Sequence, residues 1–410
     1  MIVKSKIAIC SFLTICILVV FMGCRNSDKL KFGEITDRPK DTAEELYNFN
    51  STKTESERWV TNDIGNIDLT STDLKHENLT DKTELFKYFQ FDTKTLWPTQ
   101  LPDGLDPNKL LEQGKDPGLN IRKLHKKGIT GKGVGIAIID QALLVDHEEY
   151  KEQIAVYHSY SENKHQMASM HGPGVASLAV GKNIGVAPDA KLYYISDDYA
   201  LYGERTESGE MTTSLEYLSK DIDRIIELNK SLDDNEKIRV ISISIGYTND
   251  KKDRDKFILA VERAKNEGIE VLCLGDDNPL NQYIGMGRIL YGNPNVVEDL
   301  RPAYMTYKLY NGRFDTGRLL VPMDQRTVAS SIGTSDYLYT PIGGGSWIVP
   351  YVAGLYALAC QVDSQITFEE FTSIARETGK ITSVTDENGT YEFGTIIDPI
   401  ALINKLQSKQ

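Results

Sequence analysis

Histidine is scarce in this chain, with six among 410 residues. A histidine inside a recognisable pattern therefore carries more weight than it would in a histidine-rich protein. Cysteine is equally thin, with five. Cys10 and Cys16 lie in an apolar N-terminal run, Cys24 closes it, and Cys273 and Cys360 each sit within an apolar segment. This pattern offers neither a disulfide framework nor a zinc-like spacing, and cysteines in apolar surroundings usually serve as small core residues. Basic residues are in deficit, 46 against 59 acidic ones, giving a net charge of −13. That charge excludes a nucleic-acid partner. Internal repeats are absent. What remains is an ordinary globular balance, 40% hydrophobic and 26% charged, in a chain long enough for one large domain with appendages or for two.

The N-terminus reads as a targeting segment. Lys4 and Lys6 supply positive charge, and the apolar run Ile7 to Met22 is short for a membrane span but right for a signal peptide. It ends in Phe21-Met22-Gly23-Cys24, which resembles a bacterial lipoprotein cleavage box, with Phe21 in place of the usual leucine. The resemblance implies cleavage before Cys24, a lipid on its thiol, and a location on the outer face of the cytoplasmic membrane. An uncleaved anchor is the alternative.

Residues 25 to about 60 are polar with few large apolar groups, which predicts a flexible tether. Residues 61–115 are richer, with Leu85, Phe86, Tyr88, Phe89, Phe91, Leu96, Trp97 and Leu101. They read either as an extension packed on the main domain or as a removable pro-segment. The division expected is thus a signal peptide at 1–23, tether and extension at 24–115, and the main domain at 116–410.

From Pro117 strands and helices alternate. Val134–Ile139, Ile154–Tyr157, Leu192–Ile195, Arg239–Ile245 and Ile269–Leu274 read as buried strands. Leu215, Leu218, Ile222, Ile225 and Ile226 share one helical face, and Phe257–Ala264 continues a second helix. Apolar strands separated by helices indicate a parallel sheet covered on both sides. Thr367 to Glu370 forms a capping box, and Asn388-Gly389 lies at the turn of an expected hairpin.

Three stretches carry chemistry. Gly343 to Gly354, GGGSWIVPYVAG, places Ser346 after three glycines and before a wholly apolar helix that must be buried. Pro350 sits where a first helical turn tolerates proline. A serine at such a helix start lies near free backbone N–H groups able to hold an oxyanion; a plain N-cap is the simpler alternative. Asp140 ends the strand VGIAII, where functional groups of parallel sheets collect. His171 opens HGPGVASLA, a small-residue helix. Together these supply acid, base and nucleophile.

The order Asp140, His171, Ser346 in these neighbourhoods resembles the subtilisin-like serine proteases, over roughly residues 117–405. Ser244-Ile245-Gly246 matches the family segment that pairs with substrate backbone. Gly275-Asp276 matches the glycine–asparagine pair that supplies an oxyanion-hole side chain, and Pro350, Val352, Ala353 and Gly354 match the context of the nucleophile. The resemblance implies a subtilisin-like α/β fold, three-layer α/β/α with a mostly parallel central sheet. It also implies a monomeric endopeptidase acting on peptides or proteins without a cofactor, with Asp140, His171 and Ser346 as the triad.

Departures mark this sequence. Ala142 replaces an expected glycine, Pro173 and Gly174 replace a threonine and a histidine, Gly345 replaces a threonine, and Trp347-Ile348 replaces a methionine–alanine pair. Asp276 stands where a neutral donor is expected, and an ionised carboxylate can only accept. One branch of the proprotein convertases resembles this case; Asn278 is a second candidate donor. The span between Ala179 and Gly185 is too short for the calcium loop of many secreted relatives. The altered positions leave a second reading, a subtilase-fold module that binds peptides without cleaving them. An α/β-hydrolase esterase is disfavoured, because Ile348 occupies the last position of Gly-x-Ser-x-Gly and the chain order differs. Residues 279–335, with Tyr283, Tyr291, Tyr304, Tyr307 and Tyr310, read as an insertion that packs on the surface or shapes a cleft.

Overall fold

A computed structural model describes residues 29–160, 166–197, 204–205, 211–212, 214–247, 252–275, 278–305, 317–386 and 389–409. Its central sheet has five strands: β1 (Gly135–Asp140), β2 (Ile154–Ser159), β3 (Lys191–Ser196), β4 (Ile238–Tyr247) and β5 (Glu270–Gly275). They are ordered β2-β3-β1-β4-β5, and every pairing is parallel. The strand runs expected from the sequence are all present; the first and last are shifted by one residue at unchanged length, and the other three extend by one or two residues at an end. Alternate side chains explain their continuous apolar character. Ile136 and Ile138 enter one buried cluster with helices α1 (His171–Val180) and α4 (Gly345–Val362). Ala137 and Ile139 enter another with α2 (Glu216–Ser231) and α3 (Arg254–Asn266). This is a three-layer α/β/α arrangement.

Two further sheets flank it. In the first, Tyr283–Arg288 pairs with Leu300–Pro302 on one side and runs parallel to Leu319–Pro322 on the other. Leu319–Pro322 then pairs with Gly389–Ile396, whose hairpin partner is Lys380–Asp386. The hairpin ladder closes at Asp386 and Gly389; Asn388 lies outside the described residues. The second sheet joins distant parts of the chain. Phe89–Asp92 pairs antiparallel with Tyr337–Thr340, which pairs with Arg326–Ala329. Phe89 and Phe91 are buried in the same cluster as Val349 and Val352 of α4.

The insertion grips the extension. The Tyr291 hydroxyl accepts the Asp106 N–H at 2.6 Å, and Tyr304 meets Tyr88 edge-on with ring centroids 5.9 Å apart. Tyr283 is buried and hydrogen-bonded to Thr372 at 2.8 Å. Tyr307 and Tyr310 lie outside the described residues.

The expected flexible tether takes a different form. Residues 33–36 run along the free edge of β2: Gly33 N–H donates to the Ala155 carbonyl at 2.8 Å and Thr36 N–H to the Tyr157 carbonyl at 3.0 Å. Ala43–Ser51 is helical. Edge pairing uses backbone groups, so a polar composition does not prevent it.

Candidate active site

Strand β1 ends in Asp140, which is 1% exposed. Its Oδ1 accepts the His171 Nδ1–H at 2.7 Å and the Gln141 N–H at 2.8 Å. This contact assigns the proton to Nδ1 and leaves Nε2 as the free acceptor. Gly172 makes the approach possible, since a side chain there would strike the carbonyls of Gln141 and Ala142 and the Tyr194 hydroxyl within 3 Å. Burial disfavours a charged His171, but the neighbouring Asp140 charge and hydrogen bond outweigh it and raise the imidazole pKa above its ordinary value.

Ser346 is the second residue of α4, so its N–H has no intrahelical acceptor. Helix α4 begins five residues before Pro350, which lies inside it rather than at its first turn. Proline has no N–H to give the carbonyl four residues earlier, and that carbonyl belongs to Ser346. Ser244 Oγ donates to it instead, at 3.1 Å. In return Ser346 Oγ donates to the Ser244 carbonyl at 3.3 Å. Ser244 can serve because β4 breaks register against β5 between Ile243 and Gly246, which frees Ser244 and Ile245 from the ladder.

Trp347 joins the two helices. Its indole stacks on the His171 imidazole, centroids 5.7 Å apart and planes 26° from parallel. Its outer ring lies over Gly174, where a Cβ would come within 2.8 Å. The unexpected Gly174 and Trp347 are therefore one complementary change. At Gly345 the missing side chain admits Leu274 of β5, which brings Gly275 beside the serine loop. Asp276 and Cys24 lie outside the described residues.

Asn278 is committed elsewhere. Its amide donates to the Val271 carbonyl at 2.9 Å, and its oxygen accepts from Cys273 N–H at 3.2 Å and Leu280 N–H at 3.0 Å. It is a buried cap of a short 3₁₀ turn. A cleft of about 650 Å³ also opens at the other end of the sheet, lined by Val134, Ile238 and Ile269, away from these residues.

Residues 131–295 match the family model described as the subtilase family. The chain resembles the subtilases over this stretch, which is less than half of its length. The chain is 23% identical over 279 residues to the minor extracellular protease Epr of Bacillus subtilis (strain 168), covering 64% of the chain and 37% of that relative. It is 28% identical over 156 residues to a thermostable alkaline protease of Halalkalibacterium halodurans, covering 37% of each. The chain thus aligns with little more than a third of each relative's length. The family match contains Asp140 and His171 and ends before Ser346.

Sequence reasoning missed the Trp347–His171 stack, and two further side chains behind the serine loop, Asn66 and Asp324. The signal for the stack was present: a large aromatic and a compensating glycine stood at two motif positions of the subtilase pattern.

Proposed function

We propose that this chain is a serine endopeptidase held on the outer face of the bacterial cytoplasmic membrane by lipid on Cys24. The observation that carries the reading is the Asp140–His171 hydrogen bond at 2.7 Å, with Trp347, the residue after Ser346 in α4, stacked on that imidazole. In this reading Ser346 Oγ turns from the Ser244 carbonyl to His171 Nε2, which takes its proton as the oxygen attacks a peptide carbonyl. His171 returns the proton to the leaving amine, while Asp140 holds the tautomer and stabilises the imidazolium. The Ser346 N–H supports the oxyanion, with Asp276 helping only when protonated. Substrate backbone lies between Ser244-Ile245-Gly246 and Gly275. The enzyme acts as a monomer, and residues 24–115 stay with it.

The test is labelling by a fluorophosphonate probe together with hydrolysis of a peptide library. Both are expected in the wild type and lost in Ser346→Ala. A second reading, a binding module without turnover, draws on Asp276 and on the Ser346 hydroxyl resting on Ser244. Peptide binding by a wild type inert to the probe would establish it. Active species in the medium beginning near residue 116 would overturn retention.

A further inference from the structure

The loop that delivers Ser346 is tied at its root by two side chains from outside the sequence motifs. Asn66, fully buried, comes from the N-terminal extension. Its Nδ2 donates to the Ile342 carbonyl at 3.0 Å, and its Oδ1 accepts the Ile342 N–H at 3.1 Å. The asparagine is itself held, its own N–H bonded to Asn62 Oδ1 at 2.9 Å. Asp324 comes from the insertion and is 6% exposed. Its Oδ1 accepts the Gly343 N–H at 2.9 Å and its Oδ2 the Tyr304 N–H at 2.8 Å. Gln325 N–H adds a bond to the Pro341 carbonyl at 3.0 Å. Gly343 is also wedged, since a Cβ there would meet the Met323 carbonyl and the Trp347 ring well inside contact distance. Every backbone donor from Pro341 to Gly343 is therefore fixed, and at Gly344 the carbonyl accepts the Trp347 N–H at 3.0 Å as the helix begins.

We propose that Asn66 and Asp324 are positioning residues for Ser346, and that the N-terminal extension is thereby a working part of the active site. The inference rests on the serine-hydrolase reading above. A nucleophile must be held near its attack geometry, and displacement by about 1 Å costs up to roughly a hundredfold in rate. The clamp sets the origin of the loop, and the helix start at Gly345 sets its end. Burial pushes the Asp324 carboxyl up to about 6, opposed only in part by the hydrogen bonds from the Tyr304 and Gly343 N–H groups and by the nearby Arg288. Arg288 is the titratable side chain that acts on it, and the Asp324 charge in turn acts on Tyr339. Protonation converts one accepting oxygen into a donor and weakens the clamp, so the effect adds to the acid limb of activity.

The experiment uses the full chain with Asn66→Ala, Asp324→Ala and Asp324→Asn. Three quantities are read: the second-order rate of fluorophosphonate labelling from pH 5 to 9, kcat and KM on a peptide, and amide exchange at 342–346. The alanine variants are expected to lose at least about tenfold in labelling rate and kcat with KM within about twofold. Exchange at Ile342 and Gly343 is expected to accelerate. Asp324→Asn keeps one accepting oxygen, so it shows a smaller loss and a shallower acid limb, left to His171 without the Asp324 contribution. Labelling and exchange unchanged in all three variants would overturn the clamp. A wild type that does not label sinks the hydrolase reading alone, and exchange then decides the clamp. Should an alanine variant not fold, Asp324→Asn decides by its pH profile.

Discussion

Ser244 and Ser346 hold each other through a reciprocal pair of hydrogen bonds, each hydroxyl donating to the other's backbone carbonyl. The pairing exists because Pro350 leaves the Ser346 carbonyl without a helical donor. Ser244→Ala leaves that part-buried carbonyl without its donor and is expected to cost about 1 kcal/mol. Urea unfolding measures the loss. A midpoint unchanged from wild type would mean that water replaces the hydroxyl at no cost.

Asp140→Asn should leave the fold intact while reversing the hydrogen-bond requirement at His171 Nδ1. The proton then moves to Nε2 and the base is lost, a drop of about four orders of magnitude in kcat. Peptide kinetics with melting temperature as a control checks this. An activity loss below about tenfold would separate His171 from catalysis.

The pH dependence follows from two protons with opposite demands. His171 works neutral, and Asp140 holds its pKa above the ordinary 6.5, so activity falls as pH drops through that raised value. Asp276 can donate to an oxyanion only when protonated, which demands acid. The wild type is therefore expected to be slow, with a narrow bell-shaped profile. Asp276→Asn should raise turnover, up to the roughly 3–4 kcal/mol that one oxyanion donor supplies, and extend a plateau to pH 8 and above. A mutant no faster at pH 8 removes Asp276 from the oxyanion site.

Gly174 and Trp347 should behave as a coupled pair. Gly174→Ala puts a methyl carbon 2.8 Å from the indole and is expected to destabilise by about 1–3 kcal/mol, while tilting the ring off His171. Trp347→Phe shortens the ring, so the double variant should recover part of that loss. Additive penalties in a double-mutant cycle would show that the clash relaxes elsewhere.

A chelator should leave the melting temperature unchanged. The loop after α1 is closed by protein groups: Glu149 Oε2 accepts from Asn183 N–H at 2.8 Å, and Oε1 accepts from Asn183 Nδ2 and the Tyr337 hydroxyl at 2.9 Å each. Its oxygens are thus satisfied without a cation. A large drop in EDTA would reveal a bound metal that these bonds do not replace.

The central sheet was legible because its strands are apolar on both faces and end at recognisable residues, Asp140 and Gly275 among them. His171 and Ser346 were legible through the small residues that let their helices approach. Less could be read where backbone alone makes the contact. Residues 33–36 join the edge of β2 with polar side chains, so composition pointed to a tether. Pro350 suggested a helix start because its lost hydrogen bond is compensated by Ser244, a partner 102 residues away. Asn66 and Asp324 belong to no motif; their role arises from facing backbone groups brought together only by the fold.

The contact between Asn66 and Ile342 spans 276 residues of chain, and Phe89–Asp92 must wait for Tyr337–Thr340 to complete its sheet. Local pairing cannot assemble this centre, and such long-range closure is slow. A chain halted between His171 and Tyr337 carries Asp140 and His171 but has no serine helix and an open strand edge. In the hydrolase reading the site is whole only after synthesis has passed the serine helix, Gly345–Val362, so the fold's connectivity itself delays activity to that point.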